Sequence, residues 1–233
     1  MNPYLARVLS LPELFDVSNV EEAKEMAERV RKDPLSVPLR FYGIEPKSVN
    51  EVVAVTDGPE GPNAAPVGLR TFEETPEVHL YPGSKTYANV LDSKMLTVCV
   101  VDPITLARTL LEDVELEEVE EDVKVVEDTR AFVVFEVFDV EEGEPAVFKL
   151  TPVHAGLLHP RPRAVVRAEG ALVDALVELT RVHLDPGHAE RCEERLRVVE
   201  RTTRDPRYLG IVEAVREVLS GGQTGEDTGS RVR

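Results

Sequence analysis

The sequence predicts an α+β fold: a mostly antiparallel β-barrel followed by a C-terminal helical subdomain. Three observations lead there. Between residues 41 and 153, short β-branched runs alternate with Gly/Pro turns, and helices fall between some strands rather than after each one. From His154 onward the apolar spacing changes to three and four, the period of a helix face. Hydrophobic residues make up 42% of 233, enough to build a core, so global disorder is excluded.

The elements follow in order. Residues 1–40 read as an N-terminal helical extension. Pro12-Glu13-Leu14-Phe15 suits a turn of helix, and Ser18 or Asn19 can cap a helix over 21–32 that Asp33-Pro34 ends. Its stripe of Ala23, Met26, Ala27 and Val30 is narrow and calls for the main body or a partner chain as cover. The barrel, 41–153, opens with an apolar strand over 49–56 and a turn with four Gly/Pro residues over 57–62. The return strand, Asn63-Ala64-Ala65-Pro66-Val67-Gly68-Leu69-Arg70, has small side chains and is weakened for pairing by Pro66 and Gly68. Such a strand suits either a backbone laid against something flat and bulky or a thin edge strand.

A third strand over 77–81 carries His79, expected to be exposed or barrel-lining. A near-continuous apolar strand follows over 96–101. Asp102-Pro103 then supplies an N-cap and a first-turn proline, with Ile104, Ala107, Leu110 and Leu111 marking the face expected to be buried. The acidic run over 112–128 reads as a solvated face with no catalytic role. Residues 131–140 and 146–153 form a hairpin across Glu141-Glu142-Gly143-Glu144. In the helical subdomain, 154–219, Arg161-Pro162-Arg163 leads into a long helix with Val165, Ala168, Leu172, Ala175, Leu176, Leu179 and Val182 on one face. Helices over 189–201 and from Asp205-Pro206 onward complete it, and 220–233 has the composition of a disordered tail.

Charge narrows the partners. The net charge is −17, and all of it lies in residues 1–150, with 14 Lys/Arg against 31 Asp/Glu; the remainder balances 13 against 13. Such a surface repels nucleic acid and acidic membranes. No apolar run reaches the length of a membrane span, and the N-terminus lacks the pattern of a signal peptide, so a cytoplasmic protein is expected. Cys99 and Cys192 sit at apolar-patterned positions and read as core residues.

One stretch points to chemistry. Leu80-Tyr81-Pro82-Gly83-Ser84-Lys85-Thr86-Tyr87-Ala88-Asn89-Val90 reads as a strand end, a Pro-Gly turn and a helix capped by Ser84. A helix N-terminus favours an anion through its unpaired N–H groups and its dipole. The hydroxyls of Ser84 and Thr86 and the ammonium of Lys85 suit a seat for one phosphate group. An ordinary capped helix after a turn shows the same residues. The glycine spacing of a nucleotide P-loop is absent. His183, His188 and Cys192 have a spacing open to zinc, but Asp185-Pro186-Gly187 breaks their helix, so no metal is assigned. His154 and His159 read as loop residues. Arg161, Arg163 and Arg167 cluster where a helix starts, facing either a ligand phosphate or the chain's own acids.

Taken with Asn50-Glu51-Val52-Val53-Ala54-Val55-Thr56, Pro62-Asn63-Ala64-Ala65-Pro66-Val67-Gly68, Asp102-Pro103 and Arg163-Ala164-Val165-Val166-Arg167, that stretch makes the chain resemble the archaeal DUF447 proteins over residues 41–218. This family of unknown function lies among the FMN-binding split barrels, which include flavin reductases. The resemblance implies a split β-barrel with a C-terminal helical part, in a homodimer holding FMN near the subunit interface. It implies the isoalloxazine on the backbone of Asn63, Ala64, Ala65 and Pro66, and the phosphate at Gly83, Ser84, Lys85, Thr86 and Tyr87, with Asn89 in the same helix. The family pattern has asparagines where this chain has Cys99 (or a near neighbour) and Val166, so contacts made by those side chains are not carried over.

The expected function is therefore an FMN-dependent oxidoreductase of unknown substrate, reduced by a protein or small-molecule donor, with no catalytic residue named. The flavin carries the redox chemistry. The alternative is a non-catalytic flavin-binding or interaction protein that kept the barrel.

Overall fold

A computed structural model describes residues 2–59, 61–112 and 114–221. The chain divides into two compact units, 1–46 with 50–165 and 47–49 with 166–233.

The first unit is built on a six-stranded barrel. Strands β1 (Val49–Thr56), β2 (Asn63–Arg70) and β3 (Glu77–Leu80) precede helix α3 (Lys85–Ser93) and strand β4 (Met95–Val100). Helix α4 (Pro103–Leu111), the hairpin β5 (Leu116–Glu120) and β6 (Val123–Val126), and the long strands β7 (Ala131–Glu141) and β8 (Ala146–Leu157) complete it. The sheet order is β2-β3-β8-β7-β4-β1, and β1 pairs with β2 to close the ring. The β2–β3, β3–β8, β8–β7, β7–β4 and β4–β1 ladders are antiparallel. Leu69, Val78, Phe148, Val133, Val98 and Ala54 are among the core residues that alternation turns inward from all six strands.

Residues 1–40 pack within this unit. Helix α1 (Pro3–Ser10), which the apolar pattern did not suggest, is capped by Asn2, whose Oδ1 accepts from the Tyr4 N–H at 2.9 Å. Helix α2 (Val20–Lys32) is capped by Asn19. Val8, Leu11, Phe15, Ala23, Ala27 and Val30 join the barrel core, where Phe41 meets Phe15 edge-on at 5.8 Å. The narrow stripe of α2 thus has the main body as its cover; small alanines suffice because they pack closely.

The barrel also runs past residue 153. Strand β8 continues to Leu157, and its register shifts where Phe135 faces Pro152 and Val134 faces His154. A bulge at Val153 absorbs Pro152 within the strand. The acidic run forms β5 and β6, whose Val123, Val125 and Val126 bury against Val53, Cys99 and Phe132 while Glu117, Glu118 and Glu120 stay in solvent. Helix α4 is rotated from its expected setting. It buries Thr105 and Thr109, and leaves Ile104, Ala107, Leu110 and Leu111 exposed.

The two-residue strand β9 (Val165–Val166) marks the passage to the second unit. That unit is three helices, α5 (Arg167–Leu179), α6 (Gly187–Thr202) and α7 (Pro206–Gly221), around Ala168, Ala171, Ala175, Cys192, Leu196, Val199, Val212 and Val215. Helix α5 starts later than its sequence pattern suggests, because Val165 and Val166 are extended. Its buried face is alanine, and Leu176 is exposed. Arg216 joins α7 to α6 through two carboxylates, Glu193 at 2.8 Å and Glu200 at 2.6 Å. Ser220 lies within α7; residues 222–233, the rest of the expected tail, lie outside the described residues.

Candidate functional site

The strand-turn-helix 77–93 folds as its residues dictate. Gly83 takes φ +88°, a left-handed conformation open to glycine, and turns the chain after Pro82. Ser84 is extended and caps α3, its Oγ accepting from the Tyr87 N–H at 3.2 Å. The backbone N–H groups of Lys85 and Thr86, at the first two helical positions, have no protein acceptor among the described residues. The Lys85 side chain is exposed.

Side chains bind this turn of helix to β2. The Asn63 Nδ2–H donates to Thr86 Oγ1 at 2.9 Å, so the start of β2 and the first turn of α3 are fixed together. Asn89 is fully buried, and its amide donates to Thr56 Oγ1 at 3.3 Å and to the Gly61 carbonyl at 2.8 Å. It supports the turn between β1 and β2. Gly58 leaves the room for it, since a Cβ there would come within 2.9 Å of Asn89. Tyr87 packs edge-on against Phe148 at 5.6 Å, anchoring α3 to the barrel.

Beside this junction lies a cleft of about 750 Å³. Pro62, Asn63, Ala64 and Lys85 form one side, and Thr109, Leu110, Leu111 and Glu112 at the end of α4 form another, with Val114, Leu116 and Lys124 beyond. Its volume lies in the range of cofactor clefts, roughly 300–1,000 Å³. Strand β2 is half-buried at every position from Asn63 to Gly68, Ala65 and Pro66 included, unlike the strands paired around it. Lys124 donates to Asp57 Oδ2 at 2.9 Å. That bond raises the lysine pKa and lowers that of the carboxyl, so both are charged at neutral pH. The α4 wall and Lys124 were not legible as site residues, because chain folding rather than a local motif brings them here.

The other candidates fall elsewhere. His79 contacts Glu77 at 2.9 Å and His154 contacts Glu120 at 2.7 Å. His188 pairs with the Glu178 carboxylate, and Cys192 Sγ donates to the Ala175 carbonyl at 3.2 Å. Among the described residues no group of His, Cys, Asp and Glu is arranged to hold a metal. Cys99 is fully buried and its thiol is pushed up to about 11 by burial, which leaves it protonated and inert at neutral pH. Among the described residues no helix is long and apolar enough to cross a membrane.

A six-stranded antiparallel barrel closed by β1 on β2, with α3 following β3, is a split barrel, and sequence comparison agrees. Residues 50–159 match the N-terminal domain model of DUF447, a family of unknown function. A crystallised relative, the FMN-bound protein MM1853 from Methanosarcina mazei, also assigned to DUF447, is 30% identical; the match covers 78% of this chain and 100% of that one, with a TM-score of 0.49. The chain belongs to the DUF447 family. Protein MJ1453 of Methanocaldococcus jannaschii is 37% identical over 65 residues, covering 28% of this chain and 34% of that protein, so the match spans about a third of that relative's length. The styrene monooxygenase flavin reductase of Pseudomonas putida is similar at 10% identity, over 51% of this chain and 91% of that one, with a TM-score of 0.42.

Proposed function

We propose that the chain binds FMN in the cleft beside α3 and works as a flavin-dependent oxidoreductase. The observation that carries this reading is the joint made by Asn63 and Thr86. It sets two unpaired backbone N–H groups and the Lys85 ammonium on one side of a cofactor-sized cleft, where the half-buried strand β2 begins. The FMN-bound state of the 30%-identical relative supports the same ligand.

In this reading the Lys85 and Thr86 N–H groups and the Lys85 side chain hold the phosphate, with the α3 dipole adding to the attraction. Asn63, Ala64, Ala65 and Pro66 present backbone to the ring system. Asn89, Ser84 and Gly83 act one step back by fixing the turns, and Tyr87 holds the helix on the barrel. Bound FMN supplies the redox chemistry itself. The protein functions as a cytoplasmic homodimer with FMN near the subunit interface, a reading supported by the uncovered apolar residues Leu110 and Leu111 on the cleft wall. The electron donor is a protein or a small molecule.

The test is an absorption spectrum of the purified protein before and after addition of FMN, followed by anaerobic exposure to candidate donors. The reading expects a bound-flavin spectrum, a higher melting temperature with FMN, and bleaching by one donor. Absence of a bound spectrum and of a thermal shift would overturn FMN binding. Tight binding that no donor bleaches would overturn the oxidoreductase role alone.

A further inference from the structure

The hairpin of β5 and β6 covers one row of side chains on the outer face of the barrel and leaves the next row partly open. In the covered row Val53, Cys99 and Phe132 are cross-strand neighbours on β1, β4 and β7, and Val123, Val125 and Val126 pack on them. In the next row Val55 faces Thr97, and Thr97 faces Val134. These three side chains, with Met95 beside them, line a cavity of about 390 Å³. Asp57, Glu118, Asp122 and Lys124 supply its charged lining. Lys124 also lines the larger cleft, so the two share a wall.

Thr97 is only 9% exposed, and its hydroxyl has no hydrogen-bond partner among the described residues. None of their side-chain polar atoms is both enclosed and unpartnered, so this hydroxyl opens on the cavity it lines. A valine of the same shape would continue the apolar row without a nearly buried polar group left unmatched. The charges are unmatched too. Asp57 takes Lys124 at 2.9 Å, while Glu118, opposite Lys124 in the hairpin, and Asp122 make no ion pair among the described residues.

We propose that this cavity is a second ligand site, for a small organic amine. Val55, Val134 and Met95 take its apolar or aromatic body, Thr97 a hydrogen-bonding group, and Glu118 and Asp122 its ammonium. The Met95 thioether favours a ring over an alkyl chain. The two unmatched carboxylates attract a cation and, with a net charge of −17 on the chain, repel an anion. The volume sits at the lower end of ligand pockets, roughly 300–1,000 Å³, so the ligand is small. The inference rests on the cavity alone and not on flavin binding. With FMN in the larger cleft, the amine would be its neighbour across Lys124.

Calorimetric titration of the full-length protein tests it with three probes. These are tyramine, phenethylamine, which lacks the phenol hydroxyl, and 4-hydroxyphenylacetate, which carries a carboxylate in place of the amine. Tyramine should bind about tenfold tighter than 4-hydroxyphenylacetate and about fivefold tighter than phenethylamine. Thr97→Val should melt no lower than the wild type and bind tyramine and phenethylamine alike. Glu118→Gln/Asp122→Asn should weaken both amines by about tenfold. No binding of tyramine, equal affinity for the amine and the carboxylate, or an unchanged tyramine preference in Thr97→Val would each overturn the proposal. The titrations need no FMN, so they stand whether or not flavin binds. Repeated with FMN present, they should give the same order; displacement of tyramine by FMN would make the cavity part of the larger cleft and overturn a separate site.

Discussion

Lys85 and Thr86 stand at the first two positions of α3, where backbone N–H groups have no helical acceptor. Each also brings a side chain to the site. The lysine offers a mobile charge, and the threonine hydroxyl accepts from Asn63 and so holds β2 in place. Charge-assisted hydrogen bonds contribute more than neutral ones. The double variant Lys85→Ala/Thr86→Ala should therefore weaken FMN binding by about 2–3 kcal/mol, roughly 30- to 150-fold in Kd. Flavin fluorescence titration measures it. The variant with both substitutions keeps the Ser84 cap, so α3 should persist by circular dichroism. Unchanged affinity would remove the phosphate from this end of the cleft. The turn and capped helix proposed as the seat were legible in the sequence because their parts are local: a turn glycine and a cap within a few residues. Asn89 was legible only as a member of that stretch. Its work, bonding Thr56 and Gly61, depends on a turn 28 residues away.

At the scale of elements, most caps were readable, and the face of α2 was too, with Ala23, Ala27 and Val30 buried, but the face of α4 was not. Asn19, Ser84 and Asp102 each cap the helix they precede. A cap is a contact of two or three residues, so sequence order carries it. Apolar periodicity tells which face of a helix is apolar, but not whether the same chain covers it. That is why α4 was expected to bury Ile104, Leu110 and Leu111 and instead buries two threonines. The hairpin of β5 and β6 was hidden for a related reason: one side of a two-stranded sheet faces water, and its three acids, with Glu121 and Asp122 in the turn, outnumber the three buried valines. Asp102 permits a prediction at this scale. Its Oδ1 accepts from the Thr105 and Ile104 N–H groups at 2.9 and 3.0 Å, and these bonds hold the carboxyl below its ordinary pKa of 3.8. A depressed folded-state pKa gives stability that is complete above the ordinary value and is lost as pH falls through the depressed one. Asp102→Ala should cost about 1 kcal/mol at neutral pH. Thermal melts of the variant and the wild type should converge as pH drops below the carboxyl range; a gap constant with pH would mean the cap works without its charge. Because α4 forms one wall of the cleft, FMN affinity should fall with it at neutral pH.

Across the whole molecule, the charge is divided more sharply than the fold. The first 150 residues hold 31 acids against 14 bases. Many of the bases are already committed: Arg40 to Glu13, Lys124 to Asp57, Lys149 to Asp139 and Glu141, and Arg130 to Asp102. These pairs are largely exposed, so each contributes little, about 0–1 kcal/mol, and salt weakens them. The unpaired excess acts in the opposite sense. Glu117, Glu118, Glu121 and Asp122 crowd one hairpin, and their mutual repulsion disfavours the compact state. Added salt shortens the Debye length from about 30 Å at 0.01 M to about 3 Å at 1 M, which screens the long-range repulsion among many acids more than the few contact pairs. The chain should therefore melt several degrees higher in molar sodium chloride than at low ionic strength. Calorimetry in chloride, rather than sulfate, separates screening from the general strengthening of apolar burial by excluded salts. A melting temperature that fell with chloride would show that the ion pairs outweigh the excess. One that rose would make the acidic half of the chain a surface tuned to a concentrated ionic medium, and the same screening would ease the approach of any anionic electron donor to the cleft.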